Sequence, residues 1–500
     1  MAVAVHDYPS PGARPLQSTK KHHGGNEMHT PRDAEPQNAS ARPRRFRTAI
    51  LYAATWSLGG YVALQFLRIA SSLVLTRLLV PEMFGIMAVA TMVQVAVAML
   101  SDLGLRPAAI QSRYGDDETY LNTAWTLQFI HGLTIWLVCL LIAGLIATAN
   151  SVGFLPAGSV YAEPDLPAVI AILCFTAVIS GLQSTKIITA FRSLSLGRVT
   201  AIELVAQIVS LAVAVVLAWQ TGSIWSFVVA ALCSSAVSSV LSFLWLPGLP
   251  NRFALDRDCV ADLVRFGKWV LLSSAFTVFA SNGDRLLLAV WISPTMLGLY
   301  VLAFNLVSML EGAGNRLFSS VAVPALSRIY REEPDRLPVM FTRLRLPFDI
   351  AFIAASAALM VAGQDLIDLL YDDRYSGAAQ MLEVLAFGLL IARYGVIANV
   401  YLAIGQPRLL TLLNFVRSLS LFTLVPLGYV LLGIDGALWG VALHGLPGAI
   451  VLWFLNSRLQ LNSLKVELLV LLSWPVFYFI GKFALQLFLH FRTGIHWPIL

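Results

Sequence analysis

Residues 81–85 read Pro81-Glu-Met-Phe-Gly85, and residues 294–298 read Pro294-Thr-Met-Leu-Gly298. Each pentad stands between two long apolar runs and reads as a short turn joining two helices. Sliding the sequence by the 213 residues from Pro81 to Pro294 also brings Trp56 onto Trp269, Met83 onto Met296 and Ala90 onto Ala303. A shift of 214 lays Gly222-Ser-Ile-Trp225 on Gly436-Ala-Leu-Trp439, again at a turn. Matches that fall twice at equivalent turns point to an internal duplication.

The runs around these turns are too apolar for a water-soluble body. Hydrophobic residues make up 58% of the 500 and charged residues only 12%, against about 25% charged in a soluble domain; mean hydropathy is +0.75. The apolar residues recur in blocks of about 20, the length of helix that crosses a hydrocarbon core of about 30 Å. Such a core excludes any lipid-facing backbone that does not satisfy its own hydrogen bonds. The expected fold is therefore an all-α polytopic membrane protein. Spans are expected over 52–79, 83–103, 124–149, 166–191, 199–219, 224–246, 266–292, 297–326, 346–371, 378–404, 409–432 and 437–455. A further block, 468–489, is expected as an additional C-terminal hydrophobic segment that either crosses or lies at the interface.

Residues 1–47 carry Pro, Gly, Ser, Asn and charge without apolar periodicity and read as a disordered cytoplasmic tail, not as a secretory signal. His22-His23 and the sequon Asn38-Ala39-Ser40 within it read as incidental. The net charge of +6 would suggest nucleic acid in a soluble chain; here it marks cytoplasmic loops. With the tail inside, six successive inner loops hold arginine or lysine, from Arg106 and Arg113 to Arg458 and Lys465. The outer connections 150–165, 220–223, 293–296 and 433–436 hold none, and Arg374, beside Asp372 and Asp373, is the clear exception. Cys139, Cys174, Cys233 and Cys259 lack metal spacing.

Two six-helix lobes (6+6) follow from the duplication, 48–247 and 266–457, with a cytoplasmic linker at 248–265 and the extra membrane segment in 458–500. An even number of spans gives both lobes one orientation, which implies an axis along the membrane normal and a site between them near the midplane.

Charge at that depth costs about 2.5–3.5 kcal/mol per residue on insertion scales, so residues kept there face one another or a wet cavity. Arg68, Arg285 and Arg393, with Asn282 and Asn315, are the candidate substrate-binding residues, because a guanidinium fork fits phosphate oxygens. Asp284 and Glu311 are the candidates for coupling to an ion. Lys186 and Arg417 read as side chains reaching for the interface, and His131 and His444 as packed residues. No phosphate-cradling loop, metal cluster or catalytic set is present in the sequence, so no cofactor, metal or enzymatic activity is expected.

Several motifs resemble one family. Arg77-Leu-Leu-Val-Pro81-Glu-Met-Phe-Gly85, Asp102-Leu-Gly-Leu105 with Ala109-Ile-Gln111, Leu121-Asn-Thr-Ala-Trp125, Gly298-Leu-Tyr300 with Ala303-Phe-Asn305, and Val323-Pro-Ala-Leu-Ser-Arg328 are similar to the signature of bacterial oligosaccharide flippases. These are the Wzx-like polysaccharide transporters of the multidrug/oligosaccharidyl-lipid/polysaccharide exporter superfamily. The resemblance covers about residues 50–460. It implies spans 1, 2, 7 and 8 around a central cationic cavity and alternating access without ATP. It also implies an undecaprenyl-diphosphate-linked oligosaccharide as substrate, the bacterial inner membrane as location, and a polysaccharide polymerase or export machinery as partner. A cation-coupled drug or metabolite antiporter of the same superfamily and a peptidoglycan-precursor flippase are the alternatives.

Overall fold

Proline sets where two of the central helices begin. Pro81 and Pro294 each occupy the first position of a helix, where a missing N–H is harmless. Before Pro294 the Ser293 hydroxyl accepts the Met296 N–H at 3.3 Å, a cap of the kind that contributes about 1 kcal/mol. In the computed structural model the described residues are 41–101, 104–193, 195–461 and 464–493. Residues 1–40, with His22, His23 and the Asn38 sequon, lie outside them, as do Asp102 and Leu103. The residues from 50 onward form one compact unit, which holds the helix bundle and the site.

The described chain is helical, with no strand among the described residues. Helices α1 (Ala41–Leu78), α2 (Pro81–Leu100), α3 (Leu105–Gln111) and α4 (Glu118–Ser151) come first. The next expected span is broken into α5 (Leu166–Leu173), α6 (Phe175–Gly181) and α7 (Lys186–Arg192), the last bent from its predecessors by 64°. Then come α8 (Leu196–Thr221), α9 (Trp225–Leu244), α10 (Arg257–Leu288), α11 (Pro294–Leu317) and α12 (Val323–Glu332). The remainder are α13 (Leu337–Leu370), α14 (Ala378–Ile397), α15 (Val400–Ala403), α16 (Pro407–Leu443), α17 (Leu446–Arg458) and α18 (Leu464–Thr493).

By length and composition, ten helices among the described residues can cross a membrane, or eleven with the bent pair. Pro407–Leu443 is two helices that meet at a kink at Gly433, where the backbone is not helical, so the expected spans 409–432 and 437–455 are separated there. The Gly433 backbone (φ 65°, ψ −143°) is one that a side chain disfavours. The two arms then run so close that a Cβ on Gly436 would stand 2.1 Å from the Gly428 carbonyl oxygen. The terminal block resolves to one helix, with Lys465–Leu487 long and apolar enough to cross.

The core threads between α2, α11, α13, α14 and α16, where Val89, Ala90, Leu297, Tyr300, Ala303, Leu382 and Leu389 are fully buried. Lipid supplies no hydrophobic drive between helices, so close approach at small residues does the joining. Gly85 of α2 and Gly298 of α11 meet in that way.

Candidate functional site

A cavity of about 750 Å³ opens among α10, α11, α14, α16 and α17, and every residue lining it falls between Thr277 and Leu452. Its polar groups come from α10 (Asn282, Asp284, Arg285), α11 (Glu311, Asn315) and α16 (Asn414, Arg417), with His444 just beyond. The spacing that puts Glu311 and Asn315 on one face of α11 is four residues.

Each charged group there is held differently. The Tyr300 hydroxyl donates a short hydrogen bond to Asp284, and both are buried. Arg285 lies over the Phe304 ring with its guanidinium carbon 4.5 Å from the centroid. Its Nη1 reaches Met92 Sδ of α2 at 3.5 Å, a weak contact, and its buried Nε has no partner. Arg417 Nε is likewise buried without a partner. His444 donates through Nδ1 to the Val441 carbonyl at 2.5 Å, which leaves Nε2 buried and unpartnered as an acceptor. An unsatisfied buried polar atom costs about 1–3 kcal/mol, so three converging on one cavity mark a place that a polar ligand completes. Asn399 spans the other side, donating to Asn315 Oδ1 at 2.8 Å.

Of the residues singled out in the sequence, Asn282, Asp284, Arg285, Glu311 and Asn315 therefore come together at one cavity. Arg68 and Arg393 do not line it. Arg68 is exposed midway along α1, bonded to Gln65 Oε1 at 3.3 Å. Tyr61, seven residues earlier and so on the same face, holds the Arg316 guanidinium 5.4 Å above its ring. That face of α1 consequently turns toward α11.

Arg393 is fully buried in an ion network instead. Its Nη1 bonds Asp349 Oδ1 at 3.0 Å, and Arg393 and Tyr394 both donate to Glu467 Oε1. Arg345 closes the ring, to Asp349 Oδ2 at 2.7 Å and to Glu467 Oε2 at 2.6 Å. Two arginines and two carboxylates neutralise one another and tie α18 to α13 and α14. Tyr394 also borders the cavity, so the network ends at its wall.

Arg417 and His444, expected at the interface and in packing respectively, both face the cavity. The sequence holds one signal for Arg417: it lies ten residues past Pro407, roughly 15 Å along the helix, deep for a side chain reaching back to the interface. Lys186 does turn to a helix end, donating to the Phe243 carbonyl at 2.9 Å, and His131 packs with its Nε2 2.9 Å from Ser101 Oγ. The expected ring of spans 1, 2, 7 and 8 is not what walls this cavity. Span 2 packs against span 8 through glycine, and the residues lining the cavity come from spans 7, 8, 10, 11 and 12.

Membrane-length helices gathered around a polar cavity define a multi-pass membrane transporter. The chain belongs to the Wzx-like polysaccharide transporter family, whose model, described as polysaccharide biosynthesis protein, matches residues 74–380. Membership places it among transporters of the inner membrane and not among enzymes. It is similar to the lipopolysaccharide biosynthesis protein WzxC of Escherichia coli (strain K12), 24% identical over 440 residues that cover 86% of this chain and 85% of that one. It is also similar to the teichuronic acid biosynthesis protein TuaB of Bacillus subtilis (strain 168), 22% identical over 346 residues, 66% of this chain and 67% of the other. In fold it resembles the lipid II flippase MurJ in an inward closed conformation, with a TM-score of 0.61 at 13% identity over 87% of this chain and 99% of that one. An inward-facing multidrug resistance MATE family transporter of the MOP superfamily gives 0.57 at 15% identity, covering 80% and 95%.

Proposed function

We propose that this protein carries a lipid-linked oligosaccharide across the inner membrane by alternating access, with the undecaprenyl-diphosphate headgroup of a polysaccharide repeat unit as the moving charge. The observation that carries the reading is the pair of buried, unpartnered guanidinium Nε atoms of Arg285 and Arg417 in one cavity of a polysaccharide biosynthesis family member. A diphosphate supplies acceptors to both, and charge-assisted bonds of that kind are about twice as strong as neutral ones.

In this reading Asn282 and Asn315 hold the sugar or phosphate oxygens, and Arg68 waits on the face of α1 turned toward α11. Arg393 acts at one remove, through Tyr394. Asp284 and Glu311 take up the proton or cation that drives the cycle. The moving bodies are the two halves 48–247 and 266–457, joined by the linker 248–265, with 458–500 added to the second and the N-terminus in the cytoplasm. The reciprocal packing of Gly85 and Gly298, equivalent under the 213-residue shift, is what a two-fold axis between such halves produces. A polymerase on the outer face would receive the unit.

Deleting the gene in the source bacterium tests this. Loss of extracellular polymer with accumulation of lipid-linked repeat units, restored by the wild-type chain, is the expected result. Unchanged polymer with new sensitivity to small cations would instead favour a cation-coupled antiporter, for which the carboxylates Asp284 and Glu311 in the cavity speak.

A further inference from the structure

At the end of the bundle that carries the α1–α2 turn, two connections cross between the N-terminal and C-terminal helices in opposite directions. The connection after α13 sends Arg374 and Tyr375 to the end of α1. Arg374 Nη2 donates to the carbonyls of Thr76 (3.1 Å) and Arg77 (3.3 Å), and the buried Tyr375 hydroxyl donates to that of Leu79 (2.7 Å). The connection after α4 sends Val160 and Tyr161 to the end of α10. Val160 N–H donates to Ala289 O at 3.2 Å, and the Tyr161 hydroxyl to Leu286 O at 3.1 Å. Tyr161 and Tyr375 are 214 residues apart, one of the two shifts that superpose the sequence on itself.

Chemistry explains why the acceptors are there. The last carbonyls of a helix lack partners, and that end carries partial negative charge. For Arg77 the donor would be the N–H of residue 81, which is proline and has none. Arg374 supplies it from across the molecule, and a cation at a helix C-terminus is favoured as well. Arg374 also brings its own counter-ion. Its Nε lies 3.1 Å from both Asp372 oxygens, and its Nη2 lies 2.5 Å from Oδ2. Letting go of α1 thus leaves the guanidinium neutralised and half-exposed to water, not bare.

We propose that Arg374 with Tyr375, and Tyr161 on the opposite side, are reciprocal latches that hold this end of the transport path shut, and that both release when the path opens there. The latches rest on the alternating-access reading. They also give a role to the arginine that breaks the charge bias of the outer connections: it is kept at that end because it closes a gate.

The test is thiol labelling of a cavity residue. Ser308→Cys is placed in the full chain, and a membrane-impermeant maleimide is applied to spheroplasts; the wild-type chain, with its four cysteines, sets the background. Arg374→Ala should raise the Ser308→Cys labelling rate about tenfold, the factor lost with one or two charge-assisted hydrogen bonds. Tyr161→Phe should raise it less, and Arg374→Lys, which keeps the charge without the fork, should fall between. Equal rates in Arg374→Ala and its parent, at equal protein levels, overturn the latch. If Arg374→Ala fails to accumulate, Arg374→Lys and Tyr161→Phe decide by the same comparison. A rise seen only in inverted vesicles keeps the latch and overturns the assignment of this end to the outer face. Labelling needs no substrate, so its outcome is separate from whether the cargo is a lipid-linked saccharide.

Discussion

Gly85 and Gly298 leave no room for a side chain on either partner: a Cβ on Gly85 would lie 2.0 Å from the Pro294 carbonyl oxygen, and one on Gly298 1.8 Å from that of Pro81. The contact is reciprocal between the Pro81–Gly85 and Pro294–Gly298 pentads, and the obstructing atoms are backbone, which cannot swing aside. Gly85→Ala or Gly298→Ala should each cost about 1–3 kcal/mol, the range for overpacking a tight contact. Both should lower the melting temperature in detergent. The double variant should cost less than the sum, because one separation of α2 from α11 relieves both clashes. Gly144→Ala, where a Cβ meets nothing within 4 Å, should leave stability unchanged or slightly higher.

The buried network of Arg345, Asp349, Arg393 and Glu467 predicts an asymmetric cost. Removing one member strands an opposite charge in a low-dielectric interior, so Glu467→Ala should destabilise by about 3–5 kcal/mol. Lys482→Ala, on the exposed part of the same helix, should stay within about 0.5 kcal/mol. Thermal unfolding gives the magnitude. Early proteolytic release of α18 in Glu467→Ala would show that the network is what fastens that helix.

For the cavity, Arg285→Ala and Arg417→Ala should each cut polymer export by roughly tenfold or more, while the protein accumulates normally in the membrane. A charge-assisted hydrogen bond contributes about 1.5–3 kcal/mol, and neither guanidinium Nε has a protein partner to lose. A variant that exports normally removes that arginine from the binding role.

Acid should weaken the pair that Asp372 makes with Arg374. The side-chain hydrogen bond from Arg374, with its charge, holds the Asp372 carboxyl below its usual range. A depressed carboxylate contributes stability that is complete above its ordinary pKa and lost only as pH falls through the lowered value. The difference in melting temperature between the wild-type chain and Asp372→Asn should therefore be flat from about pH 5 to pH 8 and shrink below the usual carboxylate range. A difference that does not change with pH would remove the ionised Asp372 from that pair.

Span positions are legible in the sequence because a 20-residue apolar block has one use in a bilayer, and α10 and α11 are placed well enough that Asn282, Asp284, Arg285, Glu311 and Asn315 can be grouped. The roles of Arg393, Arg417 and His444 are not legible, for a common reason. Whether an intramembrane charge meets a counter-charge or a cavity depends on helices far away in sequence. Arg393 finds Asp349 and Glu467 at separations of 44 and 74 residues, and the second lies on a helix whose status the sequence leaves open. The break at Gly433 is legible, because it falls in the connection 433–436 between two apolar runs.

The most direct measurement is the leaflet on which lipid-linked repeat units stand. Spheroplasts of the deletion strain, carrying either the wild-type chain or Arg285→Ala with Arg417→Ala, are treated with a membrane-impermeant glycosidase or lectin. Repeat units reachable from outside with the wild-type chain, and retained inside with the double variant and in the deletion strain, are the predicted result. Units equally reachable in all three strains would mean that another protein turns them over and that this cavity serves a different cargo.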